Sequence, residues 1–501
     1  MIYFSKIAKL VKQYWIIAAI LLIASFFRLY DISGYMEFLG DQGRDVVIVR
    51  RFLTQGDLMF IGPQTSVGNM YLGPWYYYFI APSLLAANFS PVGPSVMVAL
   101  VGIAAIWLVW FVAREWFGKK AAIISAFLYA ISPVVIKYSS FSWNPNIIPF
   151  FSLLSVWLVW RVWEKNEYKK LPLLGFCLGM IMASHYLGLL IFPMVFLLIL
   201  LAFRKTAGDI GKRNFKSSGL LGLGIFVAMI LPLALFDIKH NGSNLKALTF
   251  LLKGDSSVIA FSPIKYLFSL FFIFKQITTR LLAGKNELAG GLLSIVLFFS
   301  AIQLYILNRK KTTPRSRCFS LLMAWILLGI CGLGLYRHEL IDHYFGFLFP
   351  AWFILFGLMV SFLIDRKKYL RIIGLVLLSA SIIFSAIENP LRFPANNQLS
   401  STKRVVDFII SQSDGKSFNL ALLAKRNYDP PYRYYFDLKN APLKNLHDEL
   451  TDQLFVICED LDEECKPLGN SFWDVAAFGM ARTEQGWLFG NVEIYKLVHS
   501  Q

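Results

Sequence analysis

Long apolar runs separated by short basic clusters set the pattern of this chain. Runs of about 17 to 25 apolar residues are long enough to cross the hydrocarbon layer as helices, and no alternating strand pattern competes with them. The pattern predicts eleven spans: Tyr14 to Tyr30, Val92 to Ala113, Ala121 to Ile136, Ile147 to Trp163, Leu171 to Ser184, Leu187 to Phe203, Gly219 to Phe236, Gly291 to Leu307, Cys318 to Leu335, Phe345 to Ile364 and Leu370 to Ile387. The run from Leu171 to Phe203 is read as two helices broken at Ser184-His185. A single helix there would strand the cluster from Arg204 to Lys216 on the wrong side.

Composition agrees with a polytopic membrane protein: 56% of residues are hydrophobic, 16% charged and 16% aromatic, and mean hydropathy is +0.56. The formal charge of +18 does not point to nucleic acid, because lysines and arginines fall in clusters between spans and not on one face. By the positive-inside rule these clusters, from Lys6-Lys9-Lys12 to Arg366-Lys367-Lys368-Arg371, are cytoplasmic. The expected topology has a cytoplasmic N-terminus and, after an odd number of crossings, an extracytoplasmic C-terminal region, in a cell (plasma) membrane. Lys6 to Lys12 followed by an apolar run has the layout of a signal peptide. No small-residue cleavage site follows, and Phe26-Phe27-Arg28 extends the run into an interfacial anchor, so the first helix is expected to be retained.

The chain thus divides into residues 1–387, a transmembrane domain, and residues 388–501, a less apolar region read as a small α/β domain. The latter is expected to hold a helix near Thr402 to Ser411 and strands at Phe418 to Leu423, Gln453 to Cys458 and Val492 to Val498. Two further stretches lie on the outer side: 31–91, which carries the aromatic run Tyr71-Leu72-Gly73-Pro74-Trp75-Tyr76-Tyr77-Tyr78, and 237–290, which carries His240, Lys246, Lys253, Lys275, Arg280 and Lys285. The aromatic run suits an interfacial helix or a re-entrant piece. The acidic run Glu459 to Glu464 reads as a solvated loop. Cys458 and Cys465 flank it and are a candidate disulfide pair, whereas Cys177, Cys318 and Cys331 read as apolar packers.

The candidate chemistry begins at Gly40-Asp41-Gln42-Gly43-Arg44-Asp45, two acids and a guanidinium just after the first span. A carboxylate in mid-membrane costs about 2.5 to 3.5 kcal/mol, which places Asp41 in an aqueous or protein-lined pocket. Residue physics alone leaves two readings, a functional acid and a helix cap ahead of Val46-Val47-Ile48-Val49.

The segment Asp41-Gln42-x-Arg44-Asp45, continuing through Arg50, Leu53 and Gly56-Asp57, resembles the first outer loop of the GT-C superfamily of polyprenyl-phosphate-sugar glycosyltransferases. The likeness is closest to family 39 and the Rgt-like group, related to protein O-mannosyltransferases and lipid A aminoarabinose transferases. Tyr71-Leu72-Gly73-Pro74, Ser142-Trp143-Asn144-Pro145, Ser184-His185-Tyr186 and Asp342-His343-Tyr344 extend the resemblance over about the first 390 residues. It implies an inverting transferase moving a hexosyl or pentosyl group from a polyprenyl-phosphate donor to a lipid, glycan or protein acceptor. Asp41 matches the family's proposed base, with Asp45 a second acid or arginine partner. Arg44 matches a phosphate-binding arginine, and Lys137, His185, Arg337, His343 and Tyr344 are further donor-phosphate candidates. Tyr71, Asn144 and Tyr76 are pocket candidates.

The chain departs from the family pattern at Gln42, Gly73 and Asn144, where Glu, a Lys or His, and an acid are frequent. No cofactor is called for. Carboxylates of this kind can hold a divalent cation, but the departures weaken a metal site and the metal ligands stay unknown. Two other readings remain, a transporter or flippase for a lipid-linked sugar and a non-catalytic membrane scaffold. Charge confined to span ends and the lack of an internal repeat argue against the transporter.

Overall fold

The computed structural model describes residues 2–65, 70–253, 263–336, 339–459, 465–490 and 492–500. Each of the eleven apolar runs forms helix. Among the described residues eight helices are long and apolar enough to cross a membrane: Val92–Phe117, Asn144–Lys165, Tyr186–Lys205, Asp209–Lys239, Glu287–Asn308, Pro314–Leu333, Asp342–Ile364 and Lys368–Ile387. The other three, Tyr14–Leu29 within the first helix, Lys119–Ile131 and Leu171–Ser184, are shorter. This is a multi-pass helical membrane protein with a small C-terminal sheet domain. By its contacts the chain falls into two compact units, each described by itself: Met1–Tyr30, Leu58–Ile80 and Pro94–Pro394 form the first, and Asp31–Asp57, Ala81–Gly93 and Ala395–Gln501 the second.

In the first unit the helix Phe349–Ile364 is almost wholly buried, whereas Lys368–Ile387 presents most of its apolar surface outward. Hydrophobic collapse does little between helices already in lipid, so small residues and polar pairs join them. A Cβ on Gly175 would lie 2.1 Å from the Gly222 carbonyl oxygen, so the helices Leu171–Ser184 and Asp209–Lys239 meet backbone to backbone there. Arg28 is only 1% exposed and differs from the interfacial anchor that its position predicts. Its Nε donates to Ser139 Oγ at 2.8 Å, and Nη1 donates to the carbonyls of Ala24 and Ala130 at 3.2 and 3.0 Å. These bonds meet part of the cost of an internal guanidinium and tie the first helix to the segment after the third.

The second unit is built on a four-stranded sheet of order β1-β2-β4-β3, with β1 Asn419–Ala424, β2 Gln453–Glu459, β3 Ala481–Phe489 and β4 Val492–His499. β1 and β2 are parallel, and the other pairs antiparallel. The parallel pair needs a crossover, and the helix Pro430–Leu438 lies on it. Leu454, Val456 and Cys458 alternate along β2 to form a core with Ala421, Val475, Phe478 and Leu497. The helix Gln398–Gln412 buries Leu399, Val405, Val406 and Ile409. Three predicted strands and the predicted helix form in place. β3 was missed, as an edge strand whose residues are largely exposed shows no apolar alternation. Cys458 and Cys465 are bonded as a disulfide. Residues 460–464 of the acidic run between them lie outside the described residues.

Candidate functional site

The helix Gly40–Gln55 begins where the backbone leaves extended Leu39, and it is in the second unit. Asp41 is in its first turn but is not its cap. Gln42 closes the helix start instead: its Oε1 accepts from Leu39 N at 2.9 Å, and its side chain is buried. One turn on, Arg44 faces Asp41, as the i, i+3 spacing requires. Arg44 Nη1 donates to Asp41 Oδ1 at 2.8 Å, while Nε and Nη2 both donate to Asp45 Oδ1, at 3.0 and 2.7 Å. The Asp41 side chain is 31% exposed and that of Asp45 2%. The interior acid thus holds the guanidinium, and the guanidinium holds the reachable acid.

A second donor reaches Asp41 from far along the chain: the Tyr428 hydroxyl donates to Asp41 Oδ1. Burial, and then the bond to Asp41, raise the pKa of this phenol, so it stays protonated at neutral pH. No signal in the sequence marked Tyr428. It lies 387 positions from Asp41, in a domain without a catalytic motif.

The remaining candidates belong to the first unit, and the structure brings most of them together. The chain breaks at Ser184-His185 as predicted, with His185 extended (φ −167°, ψ 133°). His185 Nδ1 accepts from Leu187 N at 3.2 Å, which fixes a neutral ring with its proton on Nε2. Burial lowers its pKa to about 4. As placed, His185 offers a hydrogen bond and not a cation. The His185 ring is 5.6 Å from that of His343 and 5.3 Å from Tyr344, and His343 packs 4.4 Å from both Tyr344 and Trp143 and 6.0 Å from Tyr138. Lys137 Nζ lies 5.7 Å from the centre of the Tyr138 ring.

The two loop motifs support this cluster. Asn144 is buried, and its Nδ2 donates to the Ser184 carbonyl at 2.6 Å, bracing the break. Tyr186 Oη donates to the Tyr71 carbonyl at 2.5 Å, and Tyr71 N donates to Asn244 Oδ1 at 2.8 Å. Tyr76 is fully buried, with its hydroxyl 2.7 Å from Ser142 Oγ, so it faces the interior of the unit. Arg337 lies outside the described residues.

Two cations that no local motif marks, Arg280 and Lys285, adjoin this cluster. Arg280 forks onto the buried Asp342, with Nε on Oδ1 at 2.5 Å and Nη2 on Oδ2. Lys285 follows on a left-handed turn, Gly284 at φ 52° and Lys285 at φ 69°. Desolvation and then the charge of Arg280 lower the Lys285 pKa, with Lys137 contributing further. The side chain keeps an exposed surface, and desolvation is still the largest cause of the shift. Asp342 and Glu388 oppose these cations, so the cluster carries both signs of charge. Arg280 and Asp342 are 62 positions apart, and neither sits in a charge pattern that would have paired them from sequence.

A divalent cation does not fit the Asp41 group as it stands. The Gln42 amide is turned onto Leu39 N, and the Arg44 guanidinium takes Oδ1 of both acids. Among the described residues no three His, Cys, Asp or Glu side chains cluster so as to hold a metal ion.

With these arrangements in view, the chain has the GT-C fold, that of the polyprenyl-phosphate-sugar glycosyltransferases which its motifs resemble. It superposes on ArnT from Cupriavidus metallidurans bound to undecaprenyl phosphate with a TM-score of 0.60 at 12% identity, covering 96% of this chain and 97% of that one. The archaeal oligosaccharyltransferase AglB from Archaeoglobus fulgidus, in complex with an inhibitory peptide and a dolichol-phosphate, matches with a TM-score of 0.50 at 12% identity, over 90% of this chain and 70% of that one. Residues 72–235 match the dolichyl-phosphate-mannose-protein mannosyltransferase family model. No curated protein sequence is significantly similar to the chain.

Proposed function

We propose that the protein is an inverting glycosyltransferase that moves one sugar from a polyprenyl-phosphate carrier to an acceptor hydroxyl at the extracytoplasmic membrane face. The observation that carries this reading is the reachable carboxylate of Asp41, held by Arg44 at the start of a helix in a chain with the GT-C fold. The donor brings its own leaving group. Asp41 needs only to accept the acceptor proton as the new C–O bond forms on the face opposite the departing phosphate. Such a base acts in concert with bond formation and not before it.

Within this reading Asp45 is the arginine partner and Arg44 the group that orients Asp41. Charge on the donor phosphate would be met in the transmembrane unit by Lys137 and Lys285, with Arg280 held ready on Asp342 and with His185, His343 and Tyr344 offering hydrogen bonds. Tyr71, Asn144 and Tyr76 would shape the pocket from behind, through the contacts they make with Tyr186, Ser184 and Ser142. Both termini are placed by this reading: the N-terminus cytoplasmic, the domain after residue 387 outside, in the cell membrane. The ArnT and AglB structures were determined with polyprenyl-phosphate ligands, undecaprenyl phosphate and dolichol-phosphate, which supports a carrier of that class here.

The test is release of label from a polyprenyl-phosphate sugar in proteoliposomes, with and without chelator. Turnover of the carrier, insensitive to chelator, is expected. Translocation of the intact donor without transfer would instead make the protein a flippase, and inertness in both assays would make it a scaffold.

A further inference from the structure

The loop between β1 and the helix Pro430–Leu438 closes on the start of the Asp41 helix at three points. Asn427 Oδ1 accepts from Gly40 N at 2.8 Å and from Tyr428 N at 2.9 Å. The Tyr428 ring packs onto Gly40, where an added Cβ would come within 2.4 Å of ring carbons. Pro431 packs onto Gly43, where a Cβ would stand 2.3 Å from the proline nitrogen. The loop is itself anchored to the end of β2. Asn427 Nδ2 donates to Glu459 Oε1, and Tyr432 Oη donates to Glu459 Oε2 at 2.8 Å. Glu459 follows directly on Cys458, which is tied to Cys465. The Tyr428 ring rests on Gly40 while staying 48% exposed, and its backbone N–H is held by Asn427. Its hydroxyl meets the same carboxylate oxygen that Arg44 holds.

We propose that Tyr428 is a positioning residue for Asp41, so that the C-terminal domain takes a direct part in the transfer reaction by completing the orientation of its base. This inference rests on the proposed role of Asp41. A carboxylate held by one donor can still rotate about that bond, and a second donor from another direction fixes its plane. Preorganisation of this kind lowers the barrier of the chemical step without adding affinity for the donor, because the phenol need not touch the carrier.

The test is a turnover assay on the full chain in proteoliposomes, comparing wild type with Tyr428→Phe, which keeps the ring on Gly40 and removes only the hydroxyl. The expected result is a kcat lower by roughly 10- to 100-fold, the worth of one hydrogen bond to a charged group, with donor KM unchanged. Thermal unfolding of wild type, Tyr428→Phe, Asp41→Asn and the double variant should show that the two substitutions are not additive, as expected for groups in contact. Normal wild-type turnover with an unaffected Tyr428→Phe kcat would overturn the positioning role alone. An unchanged kcat with a lower acceptor KM would overturn it too, since the phenol would then only obstruct the acceptor. Wild-type protein without turnover would overturn the transferase reading and this inference together.

Discussion

At the residue scale, the hexapeptide that stood out in the sequence divides its labour by burial. Asp45 is inside and takes bonds from Nε and Nη2 of Arg44, while Nη1 bonds the more exposed Asp41. Arg44→Lys keeps the charge but loses the fork that spans two acids, so the orientation of Asp41 should suffer even where its ionisation does not. Gly40 and Gly43 are there for clearance, because the loop from Asn427 to Pro431 lies on them. Gly43→Ala forces a methyl group into a proline backbone and should destabilise the protein by about 1 to 3 kcal/mol. Chemical denaturation of the purified chain measures this, and an unchanged midpoint would contradict the packing described. Asp41 stands in the first turn, where an acid suits the helix dipole, and the capping bond to Leu39 N is made by Gln42 instead.

At the scale of elements, the break at Ser184-His185 was legible because charge sidedness demanded two helices where hydropathy alone allowed one. What the break does was not legible. His185 looked like a cation for phosphate, yet its Nδ1 is occupied by Leu187 N and burial holds the ring neutral down to a pH of about 4. A folded-state value below the ordinary histidine value of about 6.5 means that the unfolded chain binds the proton more readily. His185 therefore lowers stability as pH falls from about 6.5 towards 4 and has no such effect above that window. His185→Gln should flatten this part of the profile of thermal midpoint against pH, measured in detergent at fixed ionic strength. A variant as acid-sensitive as wild type would show that His185 is not buried neutral. The pairing of Arg280 with Asp342 and the crowding of Lys285 near them have no sequence signal for a different reason: they join the helix Pro263–Leu282 to the start of a span 62 positions on, and side chains that meet only in space leave no local pattern.

For the whole molecule, the architecture was the most legible part. Apolar run length and the alternation of basic clusters carry the helical membrane domain, and the loss of apolar density after Ile387 marks the sheet domain. The number of crossings is less plain, because Lys119–Ile131 and Leu171–Ser184 are too short to count as spans by length alone. Their neighbours and the charge rule argue for them. The same rule predicts that a single cysteine introduced at Ser471 reacts with a membrane-impermeant maleimide added to intact cells, while one at Lys310 reacts only after permeabilisation. The reverse pattern would invert the topology and with it the proposed face of the reaction. The sequence pattern shows three of the four strands, since β3 is exposed along most of its length and offers no alternation. Its partner β4, half buried, was found at its true position.

Asp41 carries the proposed chemistry. Wild-type protein and Asp41→Asn, reconstituted at equal density, should be compared for release of polyprenyl phosphate from a labelled polyprenyl-phosphate sugar in the presence of acceptor. The predicted result is a rate lower by roughly 10²- to 10⁴-fold in the variant, the usual worth of a general base, with membrane insertion preserved. A fully active Asp41→Asn enzyme would contradict it.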